Sequence, residues 1–483
     1  MLSHRAVPRT DPFSFTAFGA PWIDFEWATQ LAWYGVHALG GLWALWVLKA
    51  VLLAAAFWPV DGLLRDKGAS GAARAGALAL WLAAMLAQAD LRADLVSAGF
   101  FAVLVRRLEG GRASFLFGFG LFALWANLHA GFALGFGLYA LAAIAGAEKR
   151  SAPPGLAAEA AGAALGTLVN PYGAGLYRVL FAHASEPAVT RFVMEWRAPS
   201  EHNPFQFPLL AAILLVLALA FAWISSRRAS KFLLGAAFST LCAATISARF
   251  GAYFAAAGAM FAFSAFPNPR AVFVAAGLAA ATAMLVPIPR RFRRPPYDDL
   301  YVARRAVDFV ARERGVFGGL RLFNQYEWGG YLGWALGPDG RVFGDGRYLF
   351  HSQLSELQEA LTSPEALADM AGRRGLDAFL IRNMDGTVPS TRVYPDGTTR
   401  AFARPWHVSF FPRERWALVY WDDQALVYVD RAKVPAPWLA AHEYRWLRPG
   451  DGAARADALS RDEIPRAELE AEGVRHRAEV PDR

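Results

Sequence analysis

The chain has 483 residues, of which 55% are hydrophobic and only 19% are charged, with 17 Trp and 36 Phe. A soluble protein of this length carries more charge and interrupts its apolar runs, so the composition argues against an ordinary soluble fold. The net charge of +8 lies largely in short loops beside apolar segments, which is typical of membrane orientation rather than of nucleic-acid binding. Charge density rises after Pro295, which predicts a domain boundary near residues 287–296.

The N-terminal segment is polar and aromatic and precedes the first long apolar run. Its first residues are too polar to span a bilayer, so residues 1–40 are predicted to be an extracytoplasmic loop. Within it, Ala28–Leu39 and the aromatic residues around it have the pattern of an interfacial helix. Asp24 and Glu26 lie two residues apart here, where they could act as a base or bind sugar hydroxyls. The alternative is a solvated polar face or a helix N-cap.

Residues 41–288 are predicted to form a transmembrane domain. A bilayer core of about 30 Å needs about 20 helical residues, and ten apolar runs reach or approach that length. The sequence therefore predicts about ten transmembrane helices. The runs are Gly41–Trp58, Ala75–Ala89, Leu95–Val105, Ser114–Leu128, Gly131–Ala147, Leu156–Val169, Phe207–Ile224, Phe232–Ile246, Phe250–Phe266 and Ala271–Pro287.

Loop charges predict the orientation of these runs. Basic residues occur in one alternate set of loops, whereas the opposite short loops contain only Arg92 and Arg249. The positive-inside rule makes the basic set cytoplasmic. The loop 170–206 and the C-terminal domain are then extracytoplasmic, in a multi-pass protein of the bacterial cytoplasmic (inner) membrane.

The loop that begins at Asn170 carries Glu195, Trp196 and Arg197 side by side. Trp can stack on a sugar, Arg can pair with phosphate and Glu can accept hydroxyl protons. An interfacial aromatic residue beside an ion pair is the alternative interpretation. Arg249 opens a later apolar run, where an ionisable residue marks either a functional site or a side chain that snorkels to the interface.

Residues 297–450 have the composition of a soluble domain and predict an extracytoplasmic α/β fold. Strands are expected at Trp416–Trp421 and Ala425–Asp430, joined in a hairpin by the turn Asp422–Gln424. The sequence has no paired Cys or His spacing and no Gly-rich phosphate loop, so neither a metal nor a cofactor is predicted. Residues 451–483 are charged and Ala-rich and are expected to be a mobile tail.

A strand expected over residues 341–347 ends in the turn Gly344–Gly346. In such a turn the Asp345 side chain caps backbone amides, and Arg347 can pair with an acid across the turn. These two residues are therefore predicted to be structural. The alternative is that the turn contacts a substrate.

Several segments resemble one family, and the resemblance covers about residues 8–430. They include Trp125–Gly131 (Trp-Ala-Asn-Leu-His-Ala-Gly), Glu195-Trp196, Asn324–Leu332 and Val342–Arg347. These motifs are similar to those of bacterial membrane proteins of the type-C glycosyltransferase superfamily, in an uncharacterised subgroup. The resemblance implies an inverting enzyme that moves a hexose or pentose from a polyprenyl-phosphate donor to an envelope glycan, lipid or protein acceptor. The reaction would take place on the outer face of the membrane.

The resemblance also implies where the site lies. Members of the superfamily carry a key acid in the first outer loop after a first helix, and this sequence begins beyond that point. Either the catalytic acid lies upstream and the chain is inactive as given, or Asp11, Asp24 or Glu26 replaces it, or the protein is not a transferase. The non-transferase alternative is a membrane scaffold, or a transport or assembly protein for envelope glycans. The residues expected to bind the lipid-linked donor in one outer cavity are Asn127, His129, Glu195, Trp196, Arg197 and Arg249.

Overall fold

The computed structural model describes residues 6–86, 91–148, 155–186, 191–193, 196–198, 230–265, 302–337 and 340–480. The chain forms two compact units. The helical unit contains Met1–Arg9 and Ile23–Pro296, and the C-terminal unit contains Thr10–Trp22 and Tyr297–Arg483. Thr10–Trp22 was expected to be part of an N-terminal loop over residues 1–40, and it belongs instead to the C-terminal unit.

The helical unit is built from helices around an apolar core. The helix α9 is buried along almost its whole length, as expected for a helix without a polar face. Two short 3-10 turns, Gly173–Gly175 and Ala248–Phe250, lie between helices. In chain order the described helices are α1 (Trp27–Asp66), α2 (Gly71–Leu86), α3 (Asp94–Glu109), α4 (Phe115–Leu128), α5 (Phe132–Glu148), α6 (Leu156–Gly166), α7 (Leu176–Ser185), α8 (Lys231–Ile246) and α9 (Gly251–Ala265).

Helix α4 and helix α6 approach each other at backbone contact distance. A Cβ atom added at Gly162 would lie 2.3 Å from the carbonyl oxygen of Phe115, and one added at Gly166 would lie 2.3 Å from that of Phe119. Residues four apart lie on the same face of a helix, so the two glycines form a flat surface that faces α4. The close approach of the two helices therefore depends on the absence of side chains here.

Helix α1 is the one helix, in the part of the chain that the structure describes, that is long and apolar enough to cross a membrane by length and composition. Other apolar helices, including α4, α6 and α8, have 10–17 residues. The prediction of about ten transmembrane helices is therefore wrong. The apolar runs were expected to reach or approach the roughly 20 residues that a bilayer requires, whereas helices such as Leu156–Gly166 end well short of that length. The runs Phe207–Ile224 and Ala271–Pro287 lie outside the described residues.

The backbone of α1 departs from helical geometry at Gly40 and Gly41, and Gly41 has a φ of 61° that favours glycine. After this break the helix carries large apolar side chains that remain exposed. Trp43, Val47 and Val51 are 62%, 63% and 55% exposed, and their spacing of four residues places them on one face. The face of α1 after the break is thus an apolar stripe outside the protein core.

The C-terminal unit combines helices and strands. A 3-10 turn, Tyr326–Trp328, precedes the helix Gly329–Leu336, and another, Tyr348–Gln353, precedes the helix Leu354–Ala360. In chain order the elements are α10 (Arg304–Arg312), α11 (Arg314–Phe317), β1 (Leu322–Asn324), α12 (Gly329–Leu336), α13 (Leu354–Ala360), α14 (Pro364–Arg374), β2 (Ala378–Arg382), β3 (Thr387–Val393), β4 (Thr399–Pro405), α15 (Trp406–Phe410), β5 (Trp416–Trp421), β6 (Ala425–Asp430), α16 (Ala436–His442), α17 (Gly452–Ser460) and α18 (Arg466–Glu479).

Four strands form a sheet in the order β1-β2-β6-β5, in which β1 and β2 are parallel and the other pairs are antiparallel. Successive side chains of β2 point to opposite faces. Leu380 packs in one core with Val307 of α10, whereas Phe379 and Ile381 pack in a second core with Met370 of α14. Burial of each large apolar side chain contributes roughly 1.5–3 kcal/mol, so helices on both faces stabilise the sheet.

The predicted hairpin is present, because β5 and β6 pair antiparallel with the expected bounds. The second hairpin, β3–β4, was not predicted. The strand expected over residues 341–347 is reduced to a parallel bridge between Val342 and Ser14. In that bridge the Val342 amide donates to the carbonyl of Phe13 at 3.0 Å, and the Phe15 amide donates to the carbonyl of Val342 at 3.1 Å.

Residues 451–483 were expected to be a mobile tail, whereas the structure places α17 and α18 there. The Glu472 side chain of α18 is buried and accepts hydrogen bonds from the backbone amides of Arg445, Trp446 and Leu447 at 2.8, 3.0 and 2.7 Å. A carboxylate held by three amides fixes α18 against the domain. The charged composition of this segment therefore reflects ion pairs and caps rather than disorder.

We predict that Gly162→Ala destabilises the helical unit and that Gly120→Ala does not. A methyl group at Gly162 would overlap the Phe115 carbonyl oxygen, and overpacking of this kind costs about 1–3 kcal/mol. A Cβ atom at Gly120, also in an apolar helix, has no heavy atom within 4 Å. The check is the thermal unfolding midpoint of each purified variant followed by circular dichroism. Equal midpoints would contradict close backbone contact between α4 and α6.

Candidate active site

Asp24 precedes α1 and is buried. Its Oδ1 atom accepts hydrogen bonds from Nε2 of Gln30 at 2.9 Å and from the amide of Glu26 at 3.3 Å. Its own amide donates to the Tyr172 hydroxyl at 3.0 Å, and that hydroxyl donates to the carbonyl of Pro8 at 2.8 Å. Asp24 thus fixes the entry of the chain into α1 and the position of its neighbour Glu26.

Glu26 is the last residue before α1, and its side chain is 31% exposed. Its Oε1 atom lies 3.6 Å from Nε2 of His129, which is longer than a hydrogen bond. Burial raises the pKa of Glu26 to about 7, and the neighbouring Asp24 carboxylate acts in the same direction, while Arg249 opposes it. Glu26 can therefore take up or release a proton near neutral pH.

His129 occupies the break between α4 and α5, where its backbone is extended. Its Nδ1 atom accepts a hydrogen bond from the Gly131 amide at 3.1 Å and lies 2.7 Å from Oγ of Ser97. Ser97 in turn accepts a hydrogen bond from Nε1 of Trp125 at 2.6 Å. A backbone amide and a guanidinium can only donate, so each ring nitrogen of His129 faces a donor, the Gly131 amide at Nδ1 and Arg249 at Nε2. The Nε2 edge also faces Glu26.

Arg249 lies in the 3-10 turn between α8 and α9. Its Nη2 atom is 3.3 Å from Nε2 of His129, and its guanidinium carbon is 5.0 Å from the ring centre of Trp196. A guanidinium at this distance from an indole face makes a cation–π contact. The turn itself is held by a hydrogen bond from the Ala248 amide to the carbonyl of Arg197 at 3.0 Å.

The four side chains of Glu26, His129, Trp196 and Arg249 therefore come together in the helical unit. They combine a carboxylate of raised pKa, an imidazole, a guanidinium and an aromatic face. Donors of this kind stabilise a developing negative charge, and the carboxylate can accept a proton from a hydroxyl group. The arrangement suits acid–base chemistry on a substrate that carries an anionic group.

Asn127 has a structural role in the same region. Its Oδ1 atom accepts a hydrogen bond from Nε1 of Trp27 at 2.9 Å, and its Nδ2 atom donates to the carbonyls of Ala123 and Val169 at 2.7 and 2.6 Å. These bonds join α1, α4 and the segment after α6. The amide is thus occupied by protein partners, although Asn127 was predicted to bind substrate.

Two further predicted substrate-binding residues are Arg197 and Glu195. Arg197 is exposed and directs its guanidinium to the carbonyl of Arg191, with Nε at 2.7 Å. Glu195 lies outside the described residues. Sequence reasoning also missed Ser97, which orients His129 from the middle of an apolar run.

Asp11, predicted as a catalytic acid, belongs to the C-terminal unit. Its Oδ1 atom accepts from Nη1 of Arg347 at 2.6 Å and from the amide of Phe13 at 3.0 Å, and its Oδ2 atom accepts from the Ser14 hydroxyl. Arg347 also pairs with Asp345, which accepts from the Arg347 amide at 3.0 Å as the turn prediction required. Asp11 is thus a fully paired structural carboxylate.

Within the described residues, no group of three or more His, Cys, Asp or Glu side chains is arranged to hold a metal ion. No protein-family model matches the chain, and no curated protein matches it. The resemblance based on sequence motifs therefore stays a prediction, and the function must be argued from the cluster itself.

We predict that Asp11→Asn lowers stability and leaves ligand binding by the helical unit unchanged. The change weakens a buried charge-assisted hydrogen bond, which is worth about 1.5–3 kcal/mol. Asp385→Asn, at an exposed acid of the same unit, serves as the control and should change stability by less than about 0.5 kcal/mol. Denaturant unfolding of both variants provides the measurement. A stable Asp11→Asn protein that no longer binds the lipid-linked donor would contradict the structural role and indicate that Asp11 takes part in the active site.

Proposed function

We propose that the protein is a membrane-associated glycosyltransferase that moves a sugar from a polyprenyl-phosphate donor to a hydroxyl group of an envelope acceptor. The observation that carries this proposal is the cluster of Glu26, His129, Arg249 and Trp196. A base of raised pKa lies beside a guanidinium that is itself seated on an indole ring. The resemblance of the sequence motifs to type-C glycosyltransferases supports the same assignment.

The proposed reaction uses each member of the cluster once. The Glu26 carboxylate accepts the proton of the acceptor hydroxyl as its oxygen attacks the anomeric carbon. The bond between that carbon and the phosphate oxygen breaks with inversion, and the electron pair leaves with the polyprenyl phosphate. Arg249 stabilises the charge on the departing phosphate, and His129, whose Nε2 lies 3.3 Å from Nη2 of Arg249, positions the guanidinium. Trp196 holds Arg249 in place and offers a stacking surface to the sugar.

The apolar stripe on α1 supports the choice of a lipid-linked donor. Trp58 is 67% exposed and lies about three helical turns after Val47, so the stripe continues along α1 beyond Val51. Contiguous exposed apolar surface of this kind marks a site of contact with membrane or with another apolar partner. Glu26 lies at the start of this same helix, so a lipid chain against α1 would place its phosphate end near the acid.

We predict that Glu26→Gln lowers the transfer rate about 10²–10⁴-fold, because Gln cannot accept a proton. The wild-type rate should rise with pH and level off above about 7, where Glu26 is ionised, and this dependence should disappear in the variant. Glu327→Gln, at an exposed position, is the control. The measurement is release of polyprenyl phosphate from a labelled donor panel in the presence of envelope extract.

A stability measurement tests Glu26 without a known acceptor. Its pKa is raised in the folded state above the usual value of 4.5, so the fold favours the protonated acid. This contribution is fully present below about pH 4.5 and is lost as the pH rises through about 7. The unfolding midpoint of Glu26→Gln relative to wild type should therefore increase between about pH 5 and pH 8. A difference independent of pH would contradict the raised pKa.

We also predict that Arg249→Gln reduces kcat/KM for the donor about 10²-fold, because an oxyanion loses a charged donor. Arg249→Lys should restore part of the loss, and Arg178→Gln, at an exposed arginine of the same unit, should have no effect. Binding of a fluorescent polyprenyl-phosphate analogue provides a second measurement. Wild-type protein that binds the analogue but never transfers a sugar would favour a non-catalytic scaffold instead.

A further inference from the structure

Arg448 lies in the irregular segment between α16 and α17 of the C-terminal unit. Its side chain is only 1% exposed. Among the described residues, no side chain or backbone group forms a hydrogen bond with Nε, Nη1 or Nη2 of this arginine, and each of these atoms has less than 1 Å² of accessible surface. A buried guanidinium with no hydrogen-bond partner is costly, because it loses water and gains nothing in return.

Other buried charges of this unit are paired. Glu472 accepts from three backbone amides, and Asp457 accepts from the Tyr394 hydroxyl and from Arg400. Asp451 accepts from Nε of Arg404 at 3.0 Å. Arg448 therefore differs from these groups, because all three nitrogens of its guanidinium are buried without a hydrogen-bond partner among the described residues.

The surroundings of Arg448 carry an excess of positive charge. Arg413 donates to the carbonyl of Arg445 at 2.8 Å and lacks a carboxylate partner among the described residues. Burial, together with the charges of Arg448 and Arg404, lowers the pKa of Arg413 to about 10. Two acids act on this group, and both are paired elsewhere, Asp451 with Arg404 and Glu443 with Arg431. Arg448 and Arg413 are therefore left as two positive charges without a carboxylate partner among the described residues.

His407 adds no charge to this group. Its Nδ1 atom lies 2.7 Å from the Tyr428 hydroxyl, and its Nε2 atom lies 3.2 Å from the carbonyl of Pro449. Burial lowers the pKa of His407 to about 4, and Arg448 contributes to the shift. The ring is therefore neutral at pH 7, with its proton on Nε2 toward Pro449.

We propose that Arg448 and Arg413 form a binding site for a phosphoryl group that carries two negative charges. Guanidinium groups bind phosphate oxygens through paired N–H donors, and two excess positive charges match a dianion better than a carboxylate. The nitrogens of Arg448 are closed off from solvent, so an anion reaches them when the irregular segment around Pro449 and Gly450 shifts. This site lies in the C-terminal unit and is independent of the function proposed for the helical unit.

The test is thermal unfolding of the full chain in inorganic phosphate, glycerol phosphate or acetate, with sodium chloride added to equal ionic strength. Wild-type protein should gain thermal stability with increasing phosphate, because a ligand of the native state stabilises it by mass action. Glycerol phosphate should act similarly if a phosphate monoester is the ligand. An equal response to acetate, or no response to phosphate beyond that to chloride, would overturn the proposal.

Arg448→Met tests the residue itself, because Met is apolar and of similar length. Its unfolding midpoint without phosphate should equal or exceed that of wild type, since an unpaired charge has been removed. Its response to phosphate should be lost, whereas Arg466→Met, at an exposed arginine, should respond as wild type does. If Arg448→Met does not fold, Arg413→Met is the second variant. It should raise at least tenfold the phosphate concentration that gives half of the maximal gain in thermal stability. A full phosphate response in whichever variant folds would contradict the assignment.

Discussion

The imidazole of His129 is the contact on which the charged groups of the helical unit depend. It lies in the break between α4 and α5, where its Nδ1 atom contacts the Gly131 amide and the Ser97 hydroxyl. Its opposite edge faces Glu26 at the start of α1 and Arg249 between α8 and α9. One ring therefore fixes the mutual position of groups from distant parts of the sequence.

The degree of pairing separates structural from reactive charges. Asp11 is buried, accepts three hydrogen bonds and pairs with Arg347, so it has no capacity for further chemistry. Glu159 is likewise buried and paired, with Nε of Arg107 at 3.1 Å. Glu26 differs from both. The 3.6 Å between its Oε1 atom and Nε2 of His129 is longer than a hydrogen bond, and its pKa is raised to about 7. A carboxylate that is desolvated but incompletely paired is the usual form of a general base.

Local signals in the sequence were sufficient for parts of the fold. The hairpin of β5 and β6 could be predicted because its turn is specified locally. Asp422 accepts hydrogen bonds from the amides of Gln424 and Ala425, which lie two and three residues further along the sequence. The residue type was enough to select Asp11, Asp24 and Glu26 as candidate catalytic acids. It could not show which of them is reactive, because the ion pair of Asp11 with Arg347 joins residues 336 positions apart. Ser97 carried no signal at all, because a serine in an apolar run is ordinarily a packing residue.

The predicted number of membrane helices was wrong because small residues contribute to hydropathy and to helix packing at the same time. Alanine and glycine raise the apolar content of a segment, and they also allow helices to pack at backbone distance, as Gly162 does against Phe115. A hydropathy window cannot distinguish these two uses of a small residue. Exposed side chains do not separate the helices either, because α1 presents Trp43 and Val47 outside the core and Leu116 of α4 and Phe238 of α8 are likewise exposed. Helix length is therefore what distinguishes α1 from the other apolar helices of the described chain.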